Sequence, residues 1–208
     1  MKRETEIKDL LINNAIHLIA NGGFEAATVK EITKSGGDLS DVKMNDVYIY
    51  RIFGGKEELY KAVFARLDSE LFYHFRKAME IALLDASLKT SKQRILRFFE
   101  NLWDFIMGNE ANCRCYVRFY YSVYFSGDSQ KAHQDLFDGL VSKIAPFFIE
   151  EADVDAISHS VFSAMLAFAI RSYNKELLND EENRYHIFNV LFCMIASYLK
   201  PEPESILE

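Results

Sequence analysis

The chain has 208 residues, 50% apolar and 26% charged, a balance that suits one large or two small globular domains with a sizeable core. With 17 Phe and 11 Tyr, three prolines and little strand-like alternation, it points to an all-α protein. A net charge of −7 argues by itself against a nucleic-acid binder. The acidity is one-sided, however: residues 1–66 carry ten basic and ten acidic side chains, residues 67–208 fourteen and twenty-one. Cys113, Cys115 and Cys193 are an odd set, and Cys-Arg-Cys is too tight for Cys-x-x-Cys metal or redox spacing. A disulfide scaffold is not expected, and a reducing cytoplasm is the expected compartment. The opening MKRETEIKDLL has no apolar signal-peptide core, and no apolar run approaches the roughly 18–20 residues that span a bilayer.

In chain order, Ile7, Leu10, Leu11, Ala15, Leu18 and Ile19 recur at helical spacing, and Asn21-Gly22-Gly23 predicts the end of that helix. Thr28 and Glu31 form a capping box that starts a second helix at Val29, with Val29 and Ile32 inward and Lys30 and Lys34 toward water. It runs to about Ser35 before Gly36-Gly37 breaks it. Residues 38–46 are polar and turn-prone, and either Ser40 or Asn45 can cap the third helix. Val47, Ile49, Tyr50, Ile52 and Phe53 make that helix short and amphipathic, and Gly54-Gly55 stops it. Lys56 opens a long helix to about Leu84, and further helices are predicted over 91–107, 111–125, 130–149, 153–178 and 181–199. Pro201 and Pro203 make 201–208 a frayed tail.

A short tight pair of helices leaning on a longer one is how small proteins present a helix to the major groove of DNA. The segments Ala15 to Phe24, Ala27 to Ile32, Gly36-Gly37, Tyr50-Arg51-Ile52-Phe53 and Lys56-Glu57-Glu58-Leu59 together resemble, in order and spacing, the TetR family of bacterial transcriptional regulators. The resemblance implies an all-α fold with a three-helix helix-turn-helix head, residues 1–55, and a helical effector-binding and dimerising body, residues 56–200. It implies DNA contacts from Thr28, Lys30, Lys43, Asn45, Tyr48, Tyr50, Arg51 and Lys56. Thr28 caps its helix in any case, and Tyr50 has packing between helices as its alternative. Lys56 opposes the macrodipole of its own helix, which an external phosphate would relieve. The chain departs from the family between Gly37 and Tyr50: residues 38–49 are longer than the usual connection, and Asp38, Asp41 and Asp46 would sit near phosphates. Two readings stand: a longer turn that leaves the helix usable, or a head that no longer binds operator DNA.

In the body, Phe99, Trp103, Arg118, Tyr120, His159 and Phe162 are the candidate lining of an effector pocket, with plain core packing as the alternative. An inward Arg118 would favour an anionic effector. Met165, Phe168, Phe188, Phe192 and Ile195 are the expected dimer interface on the last two helices. The five histidines show no metal spacing, and no G-x-S-x-G, Walker A or G-x-G-x-x-G occurs, so no metal, cofactor or catalysis is expected. The expected function is a cytoplasmic homodimeric regulator, by default a repressor, whose partners are double-stranded operator DNA and a small-molecule effector, with no membrane. The competing reading is a TetR-like dimer that binds ligand or protein and has lost operator binding.

Overall fold

The computed structural model describes residues 2–34 and 45–201. Ser40, Lys43, the Gly36-Gly37 break, most of the insertion and residues 202–208 of the predicted tail lie outside the described residues. Nine α-helices are described: α1 Lys2–Ala26, α2 Val29–Lys34, α3 Val47–Phe53, α4 Lys56–Leu84, α5 Ser91–Gly108, α6 Glu110–Tyr120, α7 Asp128–Ile144, α8 Val154–Tyr173 and α9 Glu181–Cys193. The described chain is all-α, as expected; its one strand-like feature is an isolated bridge between Phe148 and Leu199.

The chain divides into two compact units. The first comprises Met1–Glu70 and Asn109–Gln134, hence α1, α2, α3, the first half of α4, α6 and the start of α7. The apolar stripe of α1 behaves as its spacing predicts: Ile7, Leu11, Ala15 and Ile19 are buried, while Leu10 and Leu18 are half-buried. Gly23 takes φ +76°, a left-handed conformation, and kinks the helix before it continues to Ala26. The Thr28 cap forms, with the Glu31 N–H donating to Thr28 Oγ1 at 3.2 Å. Asn14 Nδ2 donates to the Ile32 carbonyl at 2.9 Å, tying α1 to the end of α2. Phe24, Tyr60, Phe64, Tyr116, Phe119, Tyr124 and Phe125 pack ring on ring through this unit's core.

Helix α6 ends at Tyr120, five residues earlier than predicted. Ser122 donates its hydroxyl to the Phe119 carbonyl and accepts from the Tyr124 N–H, a local alternative to the helical ladder. The resulting turn sets Tyr124 against Phe24 and Tyr60, and Phe125 against Phe64.

Cys115, on α6, is fully buried, and burial pushes its thiol up to about 12. A folded-state value raised above the ordinary one gives a contribution that is complete below about pH 9 and lost as pH rises toward about 12. The thermal midpoint of the protein should therefore fall across that window. Cys115→Ala should flatten the start of the decline; a variant whose alkaline profile runs parallel to wild type would show the thiol uncoupled from folding.

The second unit comprises Leu71–Gly108 and Asp135–Glu208. Its core holds Phe72, Phe75, Phe99, Leu102, Trp103, Phe137, Phe162, Met165 and Phe188. Trp103 donates its indole N–H to Asn179 Oδ1 at 2.9 Å, so its one polar atom is satisfied. Three helices are shorter than predicted here as well: α8 ends at Tyr173, five residues early, and α7 and α9 end early too. Pro146 lacks the N–H needed to continue α7, so the chain passes through a 3-10 turn, Ala145–Phe147, and extends at Phe148. The α9 segment likewise ends at Cys193, followed by a 3-10 turn, Ala196–Tyr198. Backbone bonds from Ile149 to Tyr198 and from Lys200 to Phe147, each 2.9 Å, join these two ends. Tyr173 anchors the end of α8 by donating to the Ile106 carbonyl at 2.5 Å.

Contrary to the sequence expectation, α8 is long and apolar enough to cross a membrane by length and composition alone. It nevertheless sends Phe162, Met165, Leu166, Ala169 and Ser172 into the core of this unit.

Candidate nucleic-acid interface

Of the residues expected to meet DNA, those described lie on or just before α2 and α3 of the first unit, with Lys56 at the start of α4. Three ties place α3. Asn45 Oδ1 accepts from the Val47 N–H at 3.2 Å, giving the first turn a side-chain acceptor. Thr33 on α2 donates to Asp46 Oδ1 at 3.3 Å. At the other end Gly54 adopts φ +86° and its N–H returns to the Tyr50 carbonyl at 2.9 Å, closing the helix with a left-handed cap that only glycine takes cheaply.

Within this frame Ile49 is fully buried and Ile52 and Phe53 are half-buried, the i, i+3, i+4 stripe of an inner face. Val47, Tyr50 and Arg51 fall on the other side. Val47 is 64% exposed and Tyr50 60%, so Tyr50 is not packed between helices. The Arg51 guanidinium lies 4.7 Å from the centroid of the half-buried Tyr48 ring, a stacked cation–π pair that holds its direction. Thr28, Lys30 and Asn45 are exposed. Lys56 is half-buried with its ammonium 5.2 Å above the Tyr60 ring, which offsets the macrodipole cost inside the protein, without an external phosphate. Tyr60 in turn donates to the carbonyls of Phe24 and Ala27 at 3.2 and 2.9 Å, and burial raises its hydroxyl pKa.

Val47 was not among the residues expected to meet DNA. Its signal was present: once Ile49, Ile52 and Phe53 are taken as the inner stripe, helical spacing sends position 47 outward with 50 and 51.

The six candidate pocket residues do not share one unit. Phe99, Trp103, His159 and Phe162 belong to the second, Arg118 and Tyr120 to the first. Phe99, Trp103 and Phe162 are buried, and His159 stacks on Phe137 at 3.8 Å between centroids. Arg118 is exposed, so the condition for favouring an anionic effector is not met. Of the expected interface residues, Met165 and Phe188 are buried within the protomer, while Phe168, Phe192 and Ile195 are half-buried.

One buried polar cluster has no counterpart in the sequence motifs. Asp68 on α4, Tyr116 on α6 and His133 on α7 are each 2% exposed. His133 Nδ1 lies 2.9 Å from Asp68 Oδ1, and the Tyr116 hydroxyl donates to the same oxygen at 3.2 Å. Burial, with the Asp68 carboxylate next in weight, holds the Tyr116 hydroxyl well above its ordinary pKa. The imidazole is ringed by Phe64, Tyr120 and Phe125. Tyr116 and His133 both meet the same carboxylate oxygen and the group is sealed from solvent, which makes it a structural tie and not a nucleophile–base pair.

No protein-family model matches the chain. The curated "Biofilm operon icaADBC HTH-type negative transcriptional regulator IcaR" of Staphylococcus aureus, strains Newman and COL among others, is 24% identical over 208 residues, spanning 93% of this chain and all of that protein. Among solved structures, a TetR family transcription regulator from Marinobacter aquaeolei VT8 superposes with TM-score 0.72 at 15% identity, covering 93% of this chain and 97% of its own. A transcriptional regulator from Rhodococcus sp. Rha1 superposes with TM-score 0.69 at 14% identity, covering 94% and 99%. Over nearly its whole length, the chain has the fold of the TetR-family transcription regulators.

Proposed function

We propose that this protein is a DNA-binding transcriptional regulator, a homodimeric repressor released by a small-molecule effector. The observation that carries the reading is α3: one face held by the buried Ile49, the other offering Val47, Tyr50 and Arg51 to solvent from a helix tied by Asn45 at its start and capped by Gly54 at its end. That is the posture of a recognition helix. The curated relative, named as an HTH-type negative regulator, is similar over its full length, which favours repression over activation. Tyr50, Thr28 and Lys30 are suited to phosphate, and Arg51 to a base edge or phosphate. Residues 1–55 then act as the DNA-binding head, and 56–200 carry the effector site and the dimer interface. The protein works in the cytoplasm, where its operator is.

The dimer surface is argued from α8, which is long and apolar enough to cross a membrane yet has only 22% of its most apolar 18-residue stretch buried within the protomer. Val161, Ala164, Ala167 and Phe168 form its half-buried and exposed stripe, and Tyr185 and Val190 are the exposed apolar side chains of α9. Two alanines on such a stripe let a second α8 approach closely.

The competing reading, a dimer that binds ligand or protein without operator DNA, draws on the net neutrality of residues 1–66. Mobility shifts with duplexes from beside its own gene, run across a salt series, separate the two. Specific binding should weaken linearly on logarithmic axes, and Arg51→Ala or Lys30→Ala should each reduce the slope by about one. A folded dimer that gives no sequence-specific complex at low salt overturns the regulator.

A further inference from the structure

The exposed face of α3 has an unusual composition for a surface meant to meet a polyanion. Val47 stands 64% exposed in its first turn, one helical turn from Tyr50, which is 60% exposed. A β-branched apolar side chain gains nothing from water there, and the ties that place α3 use the Val47 backbone and leave the isopropyl group outside. Lys30 and Arg51 are exposed cations of the same compact unit, and the Asp46 carboxylate beside Val47 is engaged by Thr33. The cations ask for an anionic occupant; the valine asks for an apolar group within it. Duplex DNA meets both demands at one kind of place. Of the four bases, thymine alone shows an apolar group, its C5-methyl, in the major groove. Valine can neither donate nor accept a hydrogen bond, so its discrimination must come from that methyl.

We infer that Val47 is a specificity-determining residue that packs on the C5-methyl of a thymine in each operator half-site. The inference rests on the proposal that the protein binds operator DNA. Its orientation is set by its neighbours: Arg51, fixed against Tyr48, lies one turn along the same face and is free to take a base or phosphate on the flank. The half-site therefore contains a thymine, or an equivalent methylated pyrimidine, at the position Val47 covers.

The test uses the full chain. Duplexes that bind are first enriched from a random pool. The winning sequence is then synthesised with deoxyuridine replacing one thymine at a time, which removes the C5-methyl and nothing else. For the wild type, one thymine per half-site should show a loss of about fourfold, the weight of one methyl group returned to water. Cytosine at that position should be improved by 5-methylation. Val47→Ser, an exposed change checked by its unaltered thermal transition, should bind the thymine and uracil duplexes within about twofold of each other. Wild-type protein that binds every uracil duplex as well as the parent overturns the assignment and leaves DNA binding standing. So does undiminished discrimination by Val47→Ser. A pool that enriches no sequence removes both readings, and binding to a protein in place of DNA counts as the same failure.

Discussion

Replacing His133 by alanine is expected to cost about 3–5 kcal/mol of folding stability. The substitution leaves Asp68, 2% exposed, without the partner that lies 2.9 Å away and with the Tyr116 hydroxyl beside it. Burial of an incompletely satisfied carboxylate is among the few single changes able to consume a large fraction of a typical margin of about 5–15 kcal/mol. Removing the ring also opens a hole among Phe64, Tyr120 and Phe125, which adds a cavity term. Tyr116→Phe is the milder probe, expected to cost about 1 kcal/mol because the ring stays and a single hydrogen bond goes. Urea unfolding of both variants, and of Asp68→Ala beside an Asp68→Ala/His133→Ala double variant, gives the coupling of the pair. The double variant should cost clearly less than the sum of the two singles, since removing both partners leaves nothing charged behind. Additive losses, or a His133→Ala cost under about 1 kcal/mol, would show that the pair does not tie α4, α6 and α7 together.

The contrast between what the sequence told and what it hid comes down to distance along the chain. Helix existence is a local property: Thr28 and Glu31, three apart, start α2; Gly54 ends α3; and Lys56 to Leu84 runs as predicted because nothing in it breaks the pattern. Helix ends are less legible: Ser122 bonds the backbone away from the helical ladder in the turn after α6, and Pro146 removes the N–H that would continue α7. The Asp68–His133 pair could not be read, because 65 residues separate its members and neither shows a spacing that announces a partner. Burial side was only half legible. Ile49 and Val47 are equally apolar, yet one is fully buried and the other largely in water. Periodicity separates them only when the inner face is already known. For the same reason periodicity alone cannot tell Met165 and Phe188, which are buried within the protomer, from the half-buried Phe168.

That division makes the dimer testable with a pair of variants instead of one. Phe168→Glu should give a folded monomer by sedimentation, with the loss of self-association far exceeding any loss of stability. Phe168 is half-buried, so in the free protomer a glutamate can turn to water, whereas between two copies of α8 it would bring a charge, and its symmetric twin, into an apolar seam. Met165→Glu should instead destroy the cooperative transition, because Met165 is 4% exposed within its own protomer and has no route to solvent. A dimeric interface on the uncovered stripe of α8 requires both results. Phe168→Glu that remains fully dimeric puts the interface on another surface. Met165→Glu that stays folded but becomes monomeric would mean the core and interface sides of α8 are the reverse of those seen. On the proposed function, loss of the dimer should also abolish tight operator binding at moderate salt, since each head alone would hold half the phosphate contacts. DNA affinity unchanged in a Phe168→Glu monomer would therefore separate the two heads functionally, and the paired half-sites would have to be abandoned while α3 as the reader would stand.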